Sequence, residues 1–200
     1  MAPIDFWYSI GSTYSYLTVM RLGAYAEARG VVFNWRPFNV RQVMIEQNNI
    51  PFKDKPMKTA YMWRDLDRRA AMYGLAPALP APYPLADLPF ANQVALLGSR
   101  EGWGEAYAVE TYRLWFEEGK PAGSEPNLSE SLARIGQDAA RVLAAARTPE
   151  IEQALAAETI VARDLGVFGS PSFAVGDEIF WGDDRLDDAV AWQARGSLAE

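Results

Sequence analysis

The hydrophobic period of the chain changes at Ser12, and that change constrains the fold more than any other feature. Ile4, Phe6, Tyr8 and Ile10 alternate with Asp5, Trp7, Ser9 and Gly11, the two-residue period of a strand with one more apolar face. Beyond Ser12 the spacing is helical: Leu17, Met20, Ala24 and Ala28 recur until Gly30 stops the run. Residues 31–37 read as a second strand, so the opening segment is predicted to be a βαβ unit with a tight turn at Gly11. Such a unit puts a helix N-terminus, with its orphan N–H groups and positive dipole end, at a sheet edge beside Ser12.

Downstream, residues 39–56 read as a surface loop without strand signal. Met62, Leu66, Ala70 and Tyr73 mark a helix over 58–73, closed by Gly74. Pro77, Pro80, Pro82, Pro84 and Pro89 predict an ordered connector over a cleft, from which Tyr83 can point inward. Helical patterns follow over 90–100 and 105–118. Asn127, Asp138 and Thr148 stand where caps of three more helices belong, with Pro149 in the first helical position of the last, which runs to about 165. Residues 171–175 and 178–181 read as a hairpin turning at Gly176-Asp177, and Asp183 or Asp184 is expected to cap a terminal helix. Strands at both ends with helices between predict an α/β fold. Its sheet domain is assembled from residues 1–40 and 165–200, and residues 41–164 form an all-helical insertion.

Half of the 200 residues are apolar, enough for a core without staples, and seven Trp, nine Tyr and nine Phe suit either that core or an aromatic-lined pocket. A net charge of −7 argues against nucleic acid and anionic membrane surfaces as partners. The absence of histidine and cysteine excludes Ser-His-Asp and Cys-His machinery, the usual zinc ligand sets and any disulfide of the chain's own. No metal site is expected. No stretch has the length of a membrane span or the pattern of a signal peptide, so a cytoplasmic location is expected.

Three separated motifs carry a family resemblance. Ser12-Thr13-Tyr14-Ser15 is similar to a serine-containing active turn, and Gly166 to Phe173 to a segment bearing a cis-proline at Pro171. Glu178-Ile179-Phe180-Trp181-Gly182-Asp183-Asp184-Arg185 resembles the ending of 2-hydroxychromene-2-carboxylate isomerases and the related kappa-class glutathione transferases. These belong to the disulfide-oxidoreductase-A version of the thioredoxin-like fold, and the resemblance covers essentially the whole chain.

The resemblance implies glutathione as cofactor and a homodimer. Ser12 would stabilise the glutathione thiolate, Ser170 and Pro171 would pair with its peptide backbone, and Asp183 and Asp184 would hold its γ-glutamyl end. Asn49 and Lys58 match residues that contact the glycyl carboxylate and the second-substrate region. The implied activity is cis–trans isomerisation of an aromatic hydroxy-pyruvylidene substrate in aromatic-compound catabolism, by thiolate addition, bond rotation and elimination. A kappa-like transferase and a non-catalytic thiol- or peptide-binding protein stand as alternatives.

The residues by themselves agree in one respect. A Ser-x-x-Ser turn cannot exchange disulfides, but a hydroxyl at a helix N-terminus can donate to an anion. On residues alone Ser12 also fits an ordinary N-cap, Ser15 a capping-box position, Asp184 a cap or a partner of Arg185, and Lys58 a solvated charge.

Overall fold

The structure, a computed structural model, describes residues 2–199. Its sheet is built from β1 (Ile4–Tyr8), β2 (Phe33–Pro37), β3 (Ser172–Val175) and β4 (Glu178–Trp181), in the order β2-β1-β3-β4. The pairing of β1 with β2 is parallel, as a βαβ crossover through α1 (Thr13–Arg29) requires, and those of β1 with β3 and β3 with β4 are antiparallel. Phe6 sits opposite both Trp35 and Phe173, so aromatic rings line the centre of one face. The α/β architecture assembled from both ends of the chain is as the sequence predicts.

The alternation in β1 sorts its side chains between two cores. Ile4, Phe6 and Tyr8 join a large cluster that runs through Leu17, Leu66, Tyr112 and Trp115 to Val142 and Leu186. Trp7 faces the other way and packs with Phe38, Val40, Val43, Ala162, Val167 and Ala174. The helices between the strands are α2 (Val40–Glu46), α3 (Pro56–Met72), α4 (Leu88–Glu101), α5 (Gly104–Glu117), α6 (Asn127–Arg134), α7 (Ala139–Ala146) and α8 (Pro149–Asp164), and α9 (Leu186–Arg195) closes the chain. Most of them share the large core with the sheet, while α2 and α8 cover its second face. Among the described residues no helix is long and apolar enough to cross a membrane.

Several details depart from the sequence reading, each for a local reason. The alternation continues to Ile10, yet β1 ends at Tyr8, because the N–H and C=O of Ile10 bond to the Asn92 side chain and not to a strand. Helix α2 lies where a loop was expected; Asn39 Oδ1 accepts from the Gln42 N–H, and burial of Val40 and Val43 holds its two turns.

The caps also differ. Asp138 caps α7 as predicted, but Asn127 is the first residue of α6, buried, and donates to the carbonyls of Thr111 and Lys120. Thr148 precedes Pro149 as expected, although its hydroxyl donates back to Ala145. Neither Asp183 nor Asp184 caps α9: they begin a single 3₁₀ turn, and Arg185 occupies the cap position.

The Asn92 side chain donates to the carbonyls of Ile10 and Leu88 and accepts from Ile10 N–H, all at 2.8–2.9 Å and fully buried. Replacement by alanine strands these groups, so Asn92→Ala is expected to cost about 3 kcal/mol. The urea midpoint should fall at an unchanged slope; a midpoint equal to the parent's would contradict the assignment.

Candidate functional site

The turn between β1 and α1 has no room for anything but glycine at position 11. Gly11 has φ +127°, and a Cβ there would lie 2.2 Å from Leu88 Cδ1 at the start of α4. The next residue, Ser12, stands at the N-cap of α1, but its side chain makes no capping bond. Its hydroxyl instead crosses to the far end of the chain and donates to the Ser170 carbonyl at 2.6 Å. Ser15 closes no capping box either: buried, it shares a 2.8 Å hydrogen bond with the Ser170 hydroxyl, which also accepts from Ser9 N–H.

The Ser170–Pro171 bond is cis, as the motif implies. From below, the fully buried Tyr112 hydroxyl donates to the carbonyls of Ser9 and Ser12 at 2.9 and 3.1 Å. Burial pushes its pKa far above the ordinary phenol value, which keeps the hydroxyl a donor. Residues from the first strand, the inserted helices and the last hairpin thus converge on one turn.

Two cavities open on this turn. The larger, about 310 Å³, is bounded by Gly11, Ser12, Thr13 and Tyr14 on one side. Its walls are mostly apolar and aromatic: Met44, Ile50, Phe52, Tyr61, Met62, Tyr83, Phe168 and Trp181. Arg41, Asn49 and Lys58 add polar groups to those of Ser12, Thr13 and Ser170, with Lys58 Nζ 5.6 Å from the centre of the Phe52 ring. Tyr83 points into it from the proline-rich connector, as the sequence suggests.

The smaller cavity, about 240 Å³, is lined by Asp65, Arg69, Pro171, Gly182, Asp183 and Asp184. Tyr14, Ser170 and Trp181 line both, so the two meet at the β1–α1 turn. Gly169 allows that junction, since a Cβ there would stand 2.3 Å from the Trp181 indole nitrogen.

Every residue to which the resemblance gives a part in holding glutathione lines one of these cavities: Ser12, Asn49 and Lys58 the larger, Pro171, Asp183 and Asp184 the smaller, and Ser170 both. Asp183, which the resemblance assigns to the γ-glutamyl end, turns its carboxylate into the protein. Its carboxylate is buried and accepts from Thr18, from the Arg21 guanidinium at 2.9 Å and from the Tyr73 hydroxyl at 3.0 Å. Arg21 explains the second aspartate beside Asp184: it neutralises one of the two charges inside the protein.

Asp184 is half-exposed, 3.8 Å from Arg69 and 3.6 Å from Arg185. Arg69 and Asp65 were not anticipated. Both lie on α3, flanking its buried stripe of Met62, Leu66 and Ala70, and asking which charges border that stripe would have found them. The Thr13 hydroxyl donates to Met62 Sδ at 3.0 Å and sets α3 against the start of α1.

A family model for the DSBA-like thioredoxin domain matches residues 3–191. A 2-hydroxychromene-2-carboxylate isomerase from Sphingobium xenophagum is 30% identical over 186 residues, covering 92% of this chain and 94% of its own. One from Pseudomonas putida is 26% identical over 189 residues, covering 92% and 90%. A solved structure of 2-hydroxychromene-2-carboxylate isomerase superposes with a TM-score of 0.86 at 25% identity, covering 97% of this chain and 95% of that one. The cytosolic disulfide reductase DsbM from Pseudomonas aeruginosa, solved with GSH, shares the fold at a TM-score of 0.64 and 17% identity, with 96% of each chain covered.

Proposed function

Because the chain belongs to the DSBA-like thioredoxin family, in its 2-hydroxychromene-2-carboxylate isomerase branch, we propose that it is a glutathione-dependent cis–trans isomerase of an aromatic hydroxy-pyruvylidene substrate. In the same reading it works in the cytoplasm as a homodimer. The observation that carries the proposal is the junction at Ser12 and Ser170, where a charged cavity of both signs meets an aromatic one beneath a helix N-terminus.

The residues present fit glutathione. Asp184 suits the γ-glutamyl ammonium, the main chain at Ser170 suits an extended peptide, and Asn49 and Lys58 suit the glycyl carboxylate. When bound, glutathione supplies the nucleophilic sulfur that the chain lacks, whose reversible addition frees a conjugated double bond to rotate.

The protein's own share is electrostatic and steric. A turn about the Cβ–Oγ bond would redirect the Ser12 hydrogen from the Ser170 carbonyl into the groove, where it could donate to an ionised sulfur. The first-turn amides of α1, which take no bond from the Ser12 side chain, add the positive end of the helix dipole. Together these favour thiolate over thiol. Phe52, Tyr61, Tyr83 and Trp181 offer flat apolar walls to an aromatic substrate, and Arg41 offers a cation to its carboxylate.

The test is one of stoichiometry. With a small fixed amount of glutathione, 2-hydroxychromene-2-carboxylate and its ring-opened trans isomer are expected to interconvert over many turnovers while free glutathione stays constant. Consumption of one glutathione per product would mark a transferase and overturn the reading.

A further inference from the structure

We propose that Arg69 is a specificity-determining residue of the smaller cavity: its guanidinium takes the α-carboxylate of the γ-glutamyl group while Asp184 takes the adjacent ammonium. The inference rests on the glutathione reading above and adds to it the residue that recognises the acid half of that end.

The charges in the cavity can be matched one by one. Asp183 is neutralised by Arg21 within the protein. Asp65 accepts from the Tyr14 hydroxyl at 3.0 Å and from Arg68 at 3.3 Å. Arg185, on the rim, gives its hydrogen bond to Asp188 at 2.8 Å and stands 3.6 Å from Asp184, beyond hydrogen-bond reach. What remains facing the space is one cation and one anion, Arg69 and Asp184.

These two stand 3.8 Å apart, too far for a direct hydrogen bond, and Arg69 is equally loose against Asp65 at 3.6 Å. The guanidinium is therefore held by two carboxylates without committing its donors to either. A fixed cation beside a fixed anion complements a group bearing ammonium and carboxylate on one carbon.

Glutathione has that group at its γ-glutamyl end and a bare carboxylate at the other, so the mixed-sign cavity accepts one end only. Arginine suits the task better than lysine because its planar fork can bind a carboxylate with two parallel hydrogen bonds. Asp65, fixed from behind by Tyr14 and Arg68, acts as a positioning residue for Arg69.

Two truncated glutathiones separate the parts. Gamma-aminobutyryl-Cys-Gly lacks the α-carboxylate, and glutaryl-Cys-Gly lacks the α-amino group. By titration calorimetry, wild-type protein is expected to bind each about 10- to 100-fold more weakly than glutathione, the range for a hydrogen bond to a charged group. Arg69→Met should weaken glutathione by a similar factor and leave the aminobutyryl analogue unchanged, while still discriminating against the glutaryl analogue. Asp184→Asn should show the converse pattern, and Arg69→Lys should restore part of the lost affinity.

If Arg69→Met binds glutathione as the wild type does, or still rejects the aminobutyryl analogue, this inference falls alone. If wild-type protein binds no glutathione, the glutathione reading falls with it.

Discussion

Replacing Ser12 with alanine is expected to lower the turnover of isomerisation about 100- to 1000-fold, the usual cost of removing one donor aimed at a charge that the reaction depends on. The variant keeps the turn, because Gly11 and the hydrogen bonds of Asn92 and Tyr112 hold its backbone, and those bonds do not use the Ser12 hydroxyl. It loses only a hydroxyl that donates to Ser170.

The decisive readout is the ultraviolet thiolate absorbance of a protein–glutathione mixture as a function of pH. With wild-type protein the band should appear well below the ordinary thiol pKa of about 8.5, and with the variant it should move back toward that value. Equal titrations for the two proteins would remove Ser12 from the chemistry whatever happened to turnover.

Asp183→Asn is expected to have the largest effect on stability, about 3–4 kcal/mol. Only 2% of the Asp183 side chain and 17% of that of Arg21 reach the surface, so the substitution leaves a guanidinium that water cannot fully solvate. The hydroxyls of Thr18 and Tyr73 lose a charged acceptor at the same time. For a chain of 200 residues the loss corresponds to a drop of roughly 10 °C in Tm.

Removing both partners, in Arg21→Met/Asp183→Leu, should recover most of the loss, because an apolar pair no longer strands a charge. A single variant as stable as the parent would mean that the pair contributes nothing to the folded state. Affinity for glutathione, measured below the transition, should change little, which separates Asp183 from Asp184.

What could be read from the sequence was local or periodic. The switch of period at Ser12 locates the β1–α1 turn, and the proline-rich connector does deliver Tyr83 to the cavity. What escaped depends on partners distant along the chain. Asn92, 82 residues from Ile10, ends β1 two residues before the alternation does. Arg21, 162 residues from Asp183, turns a presumed cap inward. Asn127 resembles a cap because asparagines often are, yet its amide joins α6 to α5. Helix α2 is too short for a full apolar stripe to declare itself, and its stability comes from the core beneath Val40 and Val43. The paired charges on α3 flank its apolar stripe and are legible as neighbours, but the hairpin end supplies the Asp184 that gives Arg69 and Asp65 their meaning.

The two cavities share Tyr14, Ser170 and Trp181 and both reach α3, but the rest of their walls come from different pieces of the chain. Met44, Ile50 and Tyr61, on α2, the loop after it and the first turns of α3, wall the aromatic side, whereas Asp184 and Gly182 on the other side come from the last 20 residues. On the glutathione reading, exchanging Met44, Ile50 and Tyr61 while keeping Asn49 and Lys58 would retarget the protein to new ring systems without touching the residues assigned to the tripeptide. A library confined to those wall positions is the natural starting point for altering what this scaffold accepts.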